Sequence, residues 1–143
     1  MQKEVKQTWY FHKTPQEVWE YLTNPELLEQ WLMKTDFKPI LGHKFCFIST
    51  SGCEHYCEVL EINPFTKLSY SWQKKSDKDG KPFNSTVVWT LVPKENGTEL
   101  HLIHHGFIAL EDYTSHNNGW TFLGNRLGEF LSTVKKNQND IRN

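Results

Sequence analysis

The residues of this chain that could do chemistry are few and scattered. Cys53, His55 and Cys57 stand close together, which invites a zinc reading. The segment reads as a strand, however, and four strand residues cover about 13 Å. Zinc–thiolate bonds are about 2.3 Å, so the two sulfurs cannot share one ion without a turn. Reduced, partly buried thiols are the expectation, and no metal ligand is assigned. Three cysteines, an odd number, also argue against a disulfide framework. His104 alternates with His101 and His105 and shares a face with Leu100 and Leu102. Two roles suit it. Its imidazole hydrogen-bonds a ligand, or it is a core histidine satisfied by a carbonyl or a nearby hydroxyl; the second is preferred. Acid–base catalysis needs another titratable group within hydrogen-bond reach. Glu61 qualifies only if its strand turns it inward, and Glu111 and Asp112 only from a loop at a cavity mouth. No nucleophile elbow, phosphate loop or nucleotide fingerprint is present. No catalytic residue and no cofactor is assigned, and a binding role ranks ahead of an enzymatic one.

What the sequence holds in quantity is rings: six Trp, nine Phe and five Tyr. Rings suit both a small core and the wall of an apolar pocket. Tyr70, Trp72 and Trp89 each bring a polar tip that burial obliges to find a partner. The formal charge is -1, and no basic stripe appears, so no nucleic-acid partner is expected. No apolar run approaches the ~20 residues of a membrane helix. The stretch Met1–Val5 lacks the apolar core of a signal peptide, which makes the cytoplasm the simplest location. A chain of 143 residues fits one domain, spanning 1–143, with 137–143 read as a frayed tail.

The elements that must position these side chains follow from periodicity. Residues 4–12 alternate, with Val5, Gln7, Trp9 and Phe11 on one side of a strand. Thr14, Pro15 and Glu17 form a capping box at a helix start. Asn24 and Pro25 end that helix and open a second short one. Strands follow: 44–50, 53–62 and 68–72, then 87–92 and 100–105. Turns at Ser51-Gly52, Asn63-Pro64-Phe65, Asp79-Gly80 and Glu95-Asn96-Gly97 join them. The inward face of 53–62 stays open, since Cys57, Val59 and Glu61 compete with Leu60 and Ile62. Residues 108–115 read as a loop. Trp120, Leu123, Leu127, Phe130, Leu131 and Val134 then mark one stripe of a long helix, capped by Ser115, Asn117 or Asn118. Gly124 and Gly128 form a smooth strip on it, where a sheet or a ligand comes close. The order indicates α+β: a curved antiparallel sheet of about six to seven strands, two short helices after the first strand, and a long C-terminal helix across the concave face. A straight helix does not sit flush on a curled sheet along its whole length, and the gap is the natural place for a ligand.

Several pieces resemble one family in their order and spacing. Thr14-Pro15-x-x-Val18-Trp19 with Leu22-Thr23-Asn24-Pro25-Glu26 and Trp31 resembles the opening of the SRPBCC superfamily, also called START-like or helix-grip. The similarity is closest to the branch named after the activator of heat-shock-protein-90 ATPase, in its standalone bacterial form. Val59-Leu60-Glu61-Ile62-Asn63-Pro64, Leu68-x-Tyr70-x-Trp72, Gly97-Thr98-x-Leu100-x-Leu102-x-His104-x-Gly106-Phe107 and Gly119-Trp120-x-x-Leu123 agree with that branch. The resemblance implies a helix-grip fold with a deep, largely apolar cavity under the last helix. The expected ligand-binding wall is Trp31, Phe45, Phe47, Val59, Tyr70, Trp72, Trp89, His104, Phe107, Trp120, Leu123, Gly124 and Leu127. The partner it would hold is a small hydrophobic molecule, a lipid or an aromatic natural product. The branch name also implies a chaperone as partner, and other relatives imply a cyclase or hydrolase; both rank behind ligand binding.

Overall fold

The computed structural model describes residues 3–48, 54–74, 83–107 and 110–142, with the side chains of 54, 74, 83 and 133–142 set aside. Cys53 and the expected turns at Ser51-Gly52 and Asp79-Gly80 lie outside the described residues. The chain begins with strand β1 (Lys3–Phe11). Helix α1 (Pro15–Thr23) follows, and its start is the capping box the sequence predicts. The Thr14 hydroxyl accepts the Glu17 N–H at 3.2 Å, and the Glu17 carboxylate accepts the Thr14 N–H at 3.1 Å. That backbone bond, ahead of all other influences, holds the Glu17 carboxyl below its ordinary pKa. Asn24 serves two helices. Its N–H closes α1 on the Glu20 carbonyl, and its side chain accepts the Glu26 N–H at the start of α2 (Pro25–Trp31).

The remaining strands are β2 (Lys34–Thr35), β3 (Lys44–Ile48), β4 (Glu54–Asn63), β5 (Lys67–Lys74), β6 (Phe83–Lys94) and β7 (Gly97–Phe107). They form one curled antiparallel sheet in the order β1-β7-β6-β5-β4-β3-β2. The β6–β7 hairpin closes on Lys94 opposite Gly97, where the sequence places a turn. Gly97 is required there, since a side chain would run into the Phe11 carbonyl. The open question about β4 has a structural answer. Cys57 and Val59 face the core, and the pairing with β5 shifts between Val59 and Glu61. A bulge of this kind reverses which side chains point inward. Ile62 therefore packs on the core although Leu60 is exposed. Glu61 points outward, bonded to Lys67 at 3.3 Å.

Helix α3 runs from Leu110 to Arg142. The expected loop over 108–115 is thus corrected where it is described, because the helix already begins at Leu110. Ser115, Asn117 and Asn118 are interior residues and not caps. Glu111 and Asp112 occupy the first turn, where the helix dipole favours acids. Asn117 is used instead for a tertiary tie. The Gln7 amide of β1 donates to its carbonyl at 3.0 Å and to the Thr121 hydroxyl at 2.9 Å. Trp120, Leu127 and Leu131 are buried beneath the helix. Gly124 lies against the Trp9 indole so closely that a Cβ there would collide with the ring. The glycine strip admits the sheet. Among the described residues, no helix is long and apolar enough to cross a membrane.

Candidate functional site

The middle of the space between sheet and helix is filled with rings. Trp89 lies at its centre, with ring centroids 6.4 Å from Trp9, 6.2 Å from Trp31 and 5.4 Å from Trp120. Phe45 stands 4.9 Å from Phe37 and 5.4 Å from both Phe47 and Tyr70. These are separations at which rings attract through their edges and faces. The polar tips are matched internally. Trp89 Nε1–H donates to the Tyr70 hydroxyl at 2.9 Å, and Trp31 Nε1–H donates to the Tyr21 carbonyl at 2.7 Å. Burial raises the Tyr70 pKa, so that hydroxyl stays neutral.

His104 is completely buried. An indole can only donate, so Trp120 Nε1–H, 2.9 Å away, requires a bare Nδ1 on His104. The proton of the neutral ring is then on Nε2 and donates to Ser85 Oγ at 2.7 Å. Ser85 in turn donates to the Trp72 carbonyl at 2.8 Å. Burial first, then the imidazoles of His116, His105 and His55, push the His104 pKa down to about 2. With both nitrogens engaged, His104 is a bolt between helix and sheet, and it does not exchange protons at neutral pH. Glu61 faces away, and His101 lies on the outer face, 2.7 Å from Glu99. No acid–base pair of the expected kind is assembled from these residues.

Space remains at one end of the gap. A cleft of about 210 Å³ opens there. Helix α3 contributes Ser115, His116, Gly119, Trp120 and Leu123 to its wall. Strands β4 and β5 contribute His55 and Trp72, whose rings stack with centroids 4.6 Å apart. Met33, just past α2, closes the side. His116 is oriented by its Nδ1–H, which donates to the Asp112 carbonyl at 2.8 Å. Trp72 is an exception to the internal matching. Its Nε1–H is buried and has no hydrogen-bond partner among the described residues. Such an orphaned donor is uncommon and calls for an explanation.

Of the expected wall, Trp72, Trp120 and Leu123 line this cleft. Trp31, Phe45, Phe47, Val59, Tyr70, Trp89, Phe107 and Leu127 lie in the packed core. His104 sits beneath Trp120, and Gly124 is taken up by Trp9. Alternation assigns each of these residues to a face, and ring-on-ring packing then decides which of them meet a void. His55, Met33, His116, Ser115 and Gly119 are the wall residues that the sequence reading missed. His55 was within reach, because it alternates with Cys57 and Val59.

Other hollows differ from the cleft in position and lining. A groove of about 490 Å³ shares Met33 and Leu123 with it and is rimmed by Glu29, Lys34 and Arg126. Exposed Phe122 and Ile48 flank that groove. A third hollow, about 250 Å³, lies at the opposite end beside the β6–β7 hairpin, with Lys13, Glu17, Lys94 and Glu95 around it. Its charged lining suits an apolar guest poorly. Burial raises the Cys57 thiol pKa, which leaves it unreactive. Among the described residues, no group of His, Cys, Asp and Glu is arranged to hold a metal.

The family model described as Activator of Hsp90 ATPase homolog 1-like protein matches residues 12–132. The crystal structure of protein MLL2253 from Mesorhizobium loti superposes with a TM-score of 0.86 at 34% identity, covering 92% of this chain and 98% of that one. The solution structure of protein BH1534 from Bacillus halodurans gives 0.74 at 27% identity, covering 90% and 96%. DynU16, from the dynemicin biosynthetic locus, gives 0.82 at 22% identity; the match covers 92% of this chain but 48% of DynU16. No curated protein matches the chain.

Proposed function

The chain belongs to the family of Activator of Hsp90 ATPase homolog 1-like proteins, and from that premise we propose that it binds a small hydrophobic or aromatic molecule in the cleft between its sheet and C-terminal helix. The observation that carries this reading is the Trp72 indole N–H, buried without a partner among the described residues in the wall of a cleft that also holds Trp120, Met33 and Leu123. Sparse polar groups in an apolar wall are what orient small ligands. The test is to titrate lipids and aromatic natural products while following backbone amide shifts. Responses grouped around Gly119, Trp120 and Trp72 support the reading, and responses confined to the β6–β7 hairpin end refute it. Native mass spectrometry of protein purified from its own host would show a co-purified molecule directly.

A second reading rests on the outer groove. Phe122 is 65% exposed and Ile48 39% exposed beside it, and exposed apolar surface of this kind marks protein contacts. Together with the ATPase activation in the family description, this favours a chaperone as partner. It predicts faster ATP turnover when the protein is mixed with the Hsp90-type chaperone of its own organism, and Phe122→Asp would abolish that effect. No acceleration in the wild-type mixture would remove this reading.

A further inference from the structure

The cleft restricts its occupant further. No Asp, Glu, Lys or Arg side chain lines it; its titratable groups are the imidazoles of His55 and His116, and Glu29, Lys34 and Arg126 belong to the outer groove beyond Met33 and Leu123. An ionised ligand group enclosed in the cleft would lose its water without meeting an Asp, Glu, Lys or Arg side chain of opposite charge. The wall does hold a donor without a partner among the described residues, Trp72 Nε1–H. A buried donor without an acceptor is costly, so a ligand that brings the acceptor both relieves that cost and gains a bond. The walls are also flat. Trp72 is stacked on His55, the Trp120 ring lies 5.6 Å from Trp72, and Gly119 presents no side chain where an added Cβ would meet nothing within 4 Å. At about 210 Å³ the space is smaller than the pockets of ~300–1,000 Å³ that enclose drug-sized ligands.

Resting on the reading of this cleft as a ligand site, we infer that its occupant is an uncharged, flat molecule of one or two rings whose oxygen or nitrogen acceptor takes the Trp72 indole N–H. Fatty acids and other carboxylates are disfavoured by the same wall.

The experiment uses the full chain, labelled with nitrogen-15, and four probes: 2-acetylnaphthalene, naphthalene, 2-naphthoate and decanoate. The backbone amides of Gly119 and Leu123 report occupancy of the cleft, and the Trp72 indole N–H signal reports the bond. The ketone is expected to shift all three and to bind about 5- to 10-fold tighter than naphthalene, the effect of one net hydrogen bond. Both carboxylates are expected to bind more weakly than the ketone. In Trp72→Phe the ratio of ketone to naphthalene affinity falls to about one, whatever happens to each. Because that substitution touches the core, the indole shift in the wild-type protein is decisive on its own. If naphthalene equals the ketone, if the Trp72 signal stays still while the cleft amides move, or if a carboxylate binds best, the acceptor class is wrong and the cleft reading survives. If no probe moves Gly119 or Leu123, the cleft reading itself fails.

Discussion

His104 shows how a side chain with apparent chemical promise can be used for structure. Its two nitrogens face opposite demands: Nδ1 accepts from Trp120 and Nε2 donates to Ser85. A second proton would turn Nδ1 into a donor facing a donor. The ring therefore stays neutral in the fold down to about pH 2, while an unfolded histidine gains a proton near pH 6.5. Below 6.5 the unfolded chain binds more protons at this position than the native one. Stability must then fall as pH falls, by about 1.4 kcal/mol per pH unit from this group. His104→Asn keeps an acceptor near Nδ1 and removes the titration. Urea unfolding at several values between pH 7.5 and 4.5 should give a shallower slope for the variant; parallel curves would show that His104 does not titrate as described. Tyr70 is a parallel case. Tyr70→Phe leaves Trp89 Nε1–H buried without its acceptor and should cost about 1–3 kcal/mol. An unchanged denaturation midpoint would show that the indole finds another partner.

At the scale of elements, the two helix glycines are expected to respond in opposite directions. Replacing a helix-interior glycine by alanine gains about 1 kcal/mol of helix propensity. At Gly128 the new methyl meets only Phe11 Cε1 at 3.6 Å, an ordinary contact. Gly128→Ala should therefore raise the melting temperature. At Gly124 the methyl meets the Trp9 ring, which must shift to make room for it. Gly124→Ala should lower stability by about 1–3 kcal/mol, since overpacking outweighs propensity. If both variants melt higher, the close approach of α3 to β1 is not as described. Local chemistry explains which elements were legible in the sequence. The Thr14 box and the Asn24–Pro25 break are decided within a few residues, and they could be read directly. The start of α3 was hidden because no apolar stripe exists before Trp120; Glu111 and Asp112 mark it only by charge. The two-residue β2 is too short to carry a period, and the bulge in β4 mixes two alternations that each look valid.

At the scale of the whole molecule, the helix-grip architecture was legible and the shape of its interior was not. Alternation says which face Trp89 or Phe45 occupies. It does not say that their rings meet one another and close the centre, leaving the void near Trp72 and Trp120. That void touches β4, β5, the end of α2 and the first half of α3 at once. A molecule bound there bridges α3 to the far side of the sheet. Without it, that half of the helix is tied to the sheet through Gln7, the Trp120–His104 bond and the Trp9 contact at Gly124. Binding to the native state alone raises its stability by about 2.7 kcal/mol at a free ligand concentration 100 times the dissociation constant. Helix ends open locally at lower cost than the core, so the added contacts should be felt first there. Hydrogen exchange with and without 2-acetylnaphthalene should slow most at residues 112–123 and least along β1. Protection centred instead on residues 12–17 and 93–97 would place the ligand in the charged hollow by the β6–β7 hairpin, at the opposite end of the molecule.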